Sequence, residues 1–106
     1  MEKIIYELHA SLCSTMASPV RLEIIDRLRN GESSVGDLAD ATGISQANMS
    51  QHLKIMKQKG ILTNRKAGAV RLYSLANPKI LDAYDILREI LIEQLKHENE
   101  LAIGSP

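Results

Sequence analysis

Apolar residues recur at helical spacing along the first sixteen positions. Ile4 and Ile5, Leu8, Leu12 and Met16 make one stripe, and Tyr6, His9 and Cys13 make a second beside it. That periodicity predicts a helix over 2–16. Ser18-Pro19 restarts the chain, because serine can cap orphan amides and proline fits a first helical position where its missing N–H costs nothing. Val20, Ile24, Ile25 and Leu28 carry a second helix up to Asn30-Gly31, a pair tolerant of left-handed geometry. Ser34-x-x-Asp37 has the form of a capping box and opens a short third helix through Leu38 and Ala41. Thr42-Gly43-Ile44-Ser45 is a tight break in which Gly43 supplies positive φ, Ile44 plugs the core and Ser45 caps the next helix. That fourth helix, 45–58, is built on Met49, Leu53 and Met56.

After Gly60 the pattern turns strand-like. Two β-prone runs between Ile61 and Leu75 flank Lys66-Ala67-Gly68-Ala69, the expected tip of a hairpin. Asn77-Pro78 repeats the cap-plus-proline device and launches a last helix over 78–100. The predicted fold is therefore mainly α with a small β-hairpin (α+β), in the order α-α-α-turn-α-β-β-α. A short helix, a glycine-bearing turn, a second helix and a hairpin make a winged helix-turn-helix. At 106 residues, 1–106 forms a single domain.

Composition narrows what such a domain can do. Without Phe or Trp, and with three Tyr, the core is aliphatic and stacking on single-stranded bases is disfavoured. One cysteine excludes an intrachain disulfide and a cysteine-based structural zinc cluster. No run approaches the length of a membrane span, and the polar-striped first segment does not have the form of a signal peptide, so a cytoplasmic protein is expected. There is no glycine-rich phosphate loop and no nucleophile–His–acid set. No catalytic residues, no metal and no cofactor are expected, and the chain is not read as an enzyme.

The 13 basic and 13 acidic residues cancel in the sum but not along the chain. No Asp or Glu occurs between Asp40 and Asp82, whereas Lys54, Lys57, Lys59, Arg65, Lys66, Arg71 and Lys79 all fall there. The acid-free window covers the fourth helix and the hairpin, which is the electrostatic footprint of a polyanion-binding face. Topology and charge select the same segment, and double-stranded DNA is the expected partner.

On the fourth helix the side opposite Met49, Leu53 and Met56 carries Ala47, Ser50, Gln51, Lys54 and Gln58. Gln51 suits bidentate pairing with adenine, and the Ala47 methyl suits contact with a thymine methyl. Ser45 and Gln46 stand at the first turn, where a recognition helix reaches base edges, with Asn48 flanking them. Ser50 and Lys54 fit phosphate contacts that set register. The competing reading of these polar residues is a solvated helix surface. His52, at the edge of the apolar side, is expected as a hydrogen-bonded packing residue. In the wing 64–71, Arg65 and Lys66 beside Gly68 suit the minor groove or the backbone, and Arg71 suits a phosphate clamp. The alternative for Arg71 is a salt bridge to an acid of the last helix.

The last helix carries more apolar residues than one packing stripe needs. With the two-striped first helix, this predicts a twofold homodimer through helices 2–16 and 78–100, with Ile5, Leu8, Leu12, Tyr84, Leu87, Leu91 and Leu95 in the interface. Two reading helices would then meet a pseudo-palindromic site.

Met16-Ala17-Ser18-Pro19-Val20-Arg21-Leu22-Glu23-Ile24-Ile25, Val35-Gly36-Asp37-Leu38-Ala39, Ser45 through Leu53 and Gly60-Ile61-Leu62 closely resemble the ArsR/SmtB family of winged-helix repressors. The likeness runs over residues 8–90. It implies a dimeric transcriptional repressor that occupies an operator and is released by an inducer. Metal-sensing members carry Cys in the third-helix segment, where this chain has Ser33-Ser34-Val35-Gly36-Asp37. Others bind zinc through Asp-x-His and His-x-x-Glu on the last helices. Here only His97 and Glu100 match, and Tyr84 and Ile86 stand where the Asp and first His belong. His9 and Cys13, one turn apart, remain as candidate sensor residues, against the reading of Cys13 as a small buried hydrophobe. The inducer itself stays unnamed. The alternative function is a winged-helix protein-interaction module without sequence-specific DNA binding.

Overall fold

In the computed structural model, which describes residues 2–104 and side-chain burial through residue 100, the expected elements follow in the expected order. Helix α1 spans Lys3–Met16, α2 Pro19–Arg27, α3 Val35–Thr42, α4 Gln46–Gln58 and α5 Lys79–Gly104. Strands β1, Ser33–Ser34, β2, Leu62–Ala67, and β3, Val70–Leu75, complete the fold. The helix starts are set by the local chemistry read from the sequence. Ser18 Oγ accepts from the Arg21 amide at 3.4 Å, Ser34 Oγ from Asp37 at 3.1 Å, and Ser45 Oγ from Asn48 at 3.2 Å. Asn77 Oδ1 accepts from the Lys79 amide at 3.0 Å. Gly43 closes α3 at φ 74°, where the amides of Gly43 and Ile44 both donate to the Ala39 carbonyl.

The core collects Ile24, Ile25 and Leu28 from the α2 region, Leu38 and Ala39 from α3, Met49, Leu53 and Met56 from α4, and Ile61 and Leu62 at the entry to β2. Each fully buried large side chain contributes about 1.5–3 kcal/mol of apolar transfer. On α3 the residue that packs beside Leu38 is Ala39; Ala41, expected inward, is exposed.

The sheet and the last helix differ from the expected arrangement. The expected hairpin is the larger part of a three-stranded antiparallel sheet ordered β1-β3-β2, with Ser33 opposite Tyr73 and Ser34 opposite Leu72. Two residues are too short to display a period of two, so β1 exists only because β3 offers it a free edge. Tyr84, assigned to the dimer interface from its place among the apolar residues of α5, is buried in the core of its own protomer. Arg88 lies over its ring at 5.2 Å from the centroid. Nearby, Arg29 bridges Asp26 at 2.9 Å and Asp85 at 2.7 Å and so ties α5 to the end of α2.

Beyond that tie, every α5 residue from Ile86 through Glu100 is exposed, and so is α1 from Lys3 through Ala10. Helix α1 meets the body at its C-terminal end, where Thr15 is buried and its carbonyl accepts from Arg21 at 3.0 Å. The radius of gyration is 16.8 Å, against about 13 Å for a rounded domain of this length. The elongation comes from two apolar helices standing off a well-packed centre.

Candidate nucleic-acid interface

Helix α4 divides by period. Met49, Leu53 and Met56 have no exposed surface, while Gln46, Ala47, Asn48, Ser50, Gln51 and Lys54 are all exposed, with Ser45 exposed at the cap. Sealing one side into the core fixes the rotation of the helix, so the outward residues are held on a rigid base. The Ser45 hydroxyl is already engaged as the helix cap.

The wing is aligned to this surface by its register. Asn64 lies opposite Tyr73 and Lys66 opposite Arg71, and because paired residues share a face, these four point to one side of the sheet. That side is where the buried Tyr73 packs and where α4 lies. Two shallow grooves result. One runs between the starts of α3 and α4 and the wing, lined by Ser34, Gly36, Gln46, Ser50, Val70 and Arg71. The other runs between the second half of α4 and the wing, lined by Lys54, Lys57, Gln58, Asn64, Arg71 and Tyr73. Arg71 borders both, and neither is lined by an Asp or Glu. Its guanidinium donates to Asn64 Oδ1 at 3.3 Å, rather than reaching an acid of the last helix. Lys66 and Arg71, like charges directly across a strand pair, repel each other in the free protein, and an anion between or beside them relieves that cost.

Arg65 departs from its expected place. It is paired with Leu72, and the alternation turns it to the opposite side of the sheet from Lys66 and Arg71. There it forms a bidentate ion pair with Glu32, 2.9 Å from Nε to Oε2 and 2.5 Å from the terminal nitrogen to Oε1. The hydrogen bonds to Arg65 hold the Glu32 carboxyl below its usual range and raise the Arg65 guanidinium. The acid-free window does not reveal this pair, because Glu32 is 33 residues away and outside it. Conversely, Lys57, one of the seven cations of the acid-free window, and Asn64 also line the groove. The position of Lys57 three residues after Lys54 was a usable signal; that of Asn64 needed the strand register.

His52 is half-buried, and its Nδ1 accepts from Arg21 Nε at 3.2 Å. Burial, and after it the Arg21 charge, hold this imidazole below its ordinary value of 6.5. Arg21 thereby clamps the end of α1 and the middle of α4 from a single position on α2.

The residues assigned to dimerisation fall into two groups. Ile5, Leu8, Leu12, Leu87, Leu91 and Leu95 are exposed, whereas Tyr84 is not. Cys13 is exposed as well, so its reading as a buried hydrophobe does not hold within the protomer. It edges an apolar depression shared with Met16, Leu22, Ile25, Tyr84 and Leu87. His9 is exposed on the same helix, and among the described residues no three His, Cys, Asp or Glu side chains converge as a metal cluster. Nor, among those residues, is any helix long and apolar enough to cross a membrane.

Residues 18–64 match the model for bacterial regulatory proteins of the arsR family, a span from the cap of α2 into β2. The chain is 32% identical over 92 residues to Rv0081, an HTH-type transcriptional regulator of Mycobacterium tuberculosis, covering 86% of this chain and 81% of that one. The crystal structure of Rv0081 superposes with a TM-score of 0.83 over 92% of this chain and 98% of that one. A biofilm growth-associated repressor of Xylella fastidiosa is 35% identical over 96 residues, 91% of this chain and 83% of the relative. A homodimeric winged helix-turn-helix DNA-binding domain from Mycobacterium bovis is 26% identical. It superposes with a TM-score of 0.81, covering 89% of this chain and 87% of that one.

Proposed function

The chain belongs to the bacterial ArsR family of regulatory proteins, and from that premise we propose that it represses transcription as a homodimer bound to double-stranded DNA. It is a winged helix-turn-helix transcriptional regulator. Helix α4 enters the major groove with Gln46, Ala47, Asn48 and Gln51 at base edges, while Ser50 and Lys54 hold the backbone. From the wing, Lys66 and Arg71 grip the phosphates that flank α4. One observation carries this assignment: the exposed side of α4 and one side of the wing line shared grooves that hold Lys54, Lys57 and Arg71 and no acid.

The exposed apolar faces of α1 and α5 support dimerisation through those helices, with Ile5, Leu8, Leu12, Leu87, Leu91 and Leu95 meeting a second copy. A twofold axis there sets two α4 helices about 34–36 Å apart, one DNA turn, on a pseudo-palindromic operator. The protein acts in the cytoplasm and performs no catalysis in this reading.

A salt titration of duplex binding tests it. A dimer that neutralises about 6–10 phosphates loses roughly 10³–10⁵ in affinity between about 50 and 200 mM salt. Binding that is indifferent to salt, or absent at the lower concentration, overturns the assignment in favour of a protein-interaction module.

A further inference from the structure

Of the seven cations in the acid-free window, Arg65 alone among the described residues carries a carboxylate partner. The partner comes from the segment just before β1, and Arg65 shares its side of the sheet with Leu72, opposite Lys66 and Arg71. The sheet does not need this strap to hold its register, since β2 and β3 are already joined through six residue pairs. Both partners are well exposed, 60% for the Arg65 side chain and 36% for Glu32, and ion pairs this open contribute little to folding. What the pair does change is the chemistry of Arg65. Glu32 fills the Nε and terminal N–H edge of the guanidinium, the same planar fork that takes a phosphate bidentately.

We propose that Glu32 is an intramolecular competitor for Arg65, standing in for a DNA phosphate and lowering affinity for duplexes of any sequence. The inference rests on the DNA-binding reading and adds to it a residue that sets the strength of non-specific binding. Lys66 and Arg71 meet the backbone beside α4, while Arg65, two positions before the turn end of β2, faces the other side of the wing. Docking there requires Arg65 to exchange one anion for another. Because the exchange returns little net energy, the contact adds little on random DNA, and discrimination is left to the α4 side chains.

The test measures binding of a fluorescent random-sequence duplex across a range of salt for wild type, Glu32→Gln, Arg65→Ala and the double variant. Glu32→Gln should bind about five- to tenfold more tightly near 0.1 M salt, with the logarithmic salt slope steeper by about 0.9 per protomer. Arg65→Ala should stay close to wild type, and the double variant should lose the whole gain. A Glu32→Gln affinity equal to or below wild type overturns the proposal; if its thermal stability also falls, Glu32 is a brace for the wing instead. A gain that survives in the double variant overturns it too, since the effect would then be general charge and not release of Arg65. Absence of salt-dependent duplex binding by the wild type sinks the DNA reading and this inference together, whereas wild-type binding with an unresponsive Glu32→Gln sinks the inference alone.

Discussion

Helix α4 and helix α5 both carry large apolar residues, α5 many more of them, and use them in opposite ways. On α4, Met49, Leu53 and Met56 vanish completely into the protomer, and the helix turns a polar, acid-free side outward. On α5, Ile80, Leu81 and Tyr84 reach the core, and then Ile86, Leu87, Ile90, Leu91, Ile92 and Leu95 all stand exposed. A surface that must meet phosphate and base edges has to be rigid and polar, so it is built on a helix whose packing is finished within one chain. A surface proposed to meet its own copy gains most from burying apolar area, and that of α5 is left unfinished within the protomer. In the proposed reading the acid-free window marks the DNA face and the apolar excess marks the dimer face, each on its own elements.

The same truncation placed on each helix gives the sharpest break of that comparison. Leu53→Ala leaves a cavity in a finished core and should cost about 2–5 kcal/mol, read by chemical denaturation and independent of protein concentration. Leu91→Ala removes a side chain that the protomer does not bury, so its cost should appear in the dimer and fade on dilution, read by light scattering beside denaturation. A concentration-independent loss of similar size at Leu91 would mean that α5 packs against its own chain.

Within the polar side, α4 divides again. Gln51→Ala should relax preference at one base position at a cost of about 1–3 kcal/mol, while Lys54→Ala should weaken every sequence alike and flatten the salt slope by about one. Selection of bound sequences for both variants checks this, and equal losses on operator and random DNA would take Gln51 out of the reading set.

The smallest effect concerns the clamp behind α4. The His52 imidazole is held below its ordinary 6.5, so the folded state favours the neutral ring that accepts from Arg21. Its contribution to stability is complete above 6.5 and is lost as the pH falls through the depressed folded value. Thermal stability should therefore decline in mildly acidic buffer before the carboxylates begin to titrate. His52→Asn, which keeps an acceptor and removes the titration, should be flat over the same interval.

Most of the fold was legible residue by residue. Ser18, Ser34, Ser45 and Asn77 begin helices as read, Gly43 takes the positive φ expected of it, and the buried side of α4 follows its period. The candidate site was legible in part. The outward residues of α4 follow the same period, whereas Asn64 and the pairing of Arg65 depend on strand register, which residue content does not specify.

What the sequence determined by itself is local: where each helix starts and stops, which of its sides is apolar, and where along the chain charge of one sign collects. These follow from side chains acting within about four residues of one another, through capping, backbone conformation and periodicity. Only the tertiary structure decided that Ser33–Ser34 pairs with β3, that Tyr84 turns into its own core, and that Glu32 reaches Arg65 from 33 residues away. The physical reason is common to all three. Strand pairing, the choice between core and partner, and the neutralisation of a charge each depend on which distant segment the chain path brings alongside, and no local pattern records that.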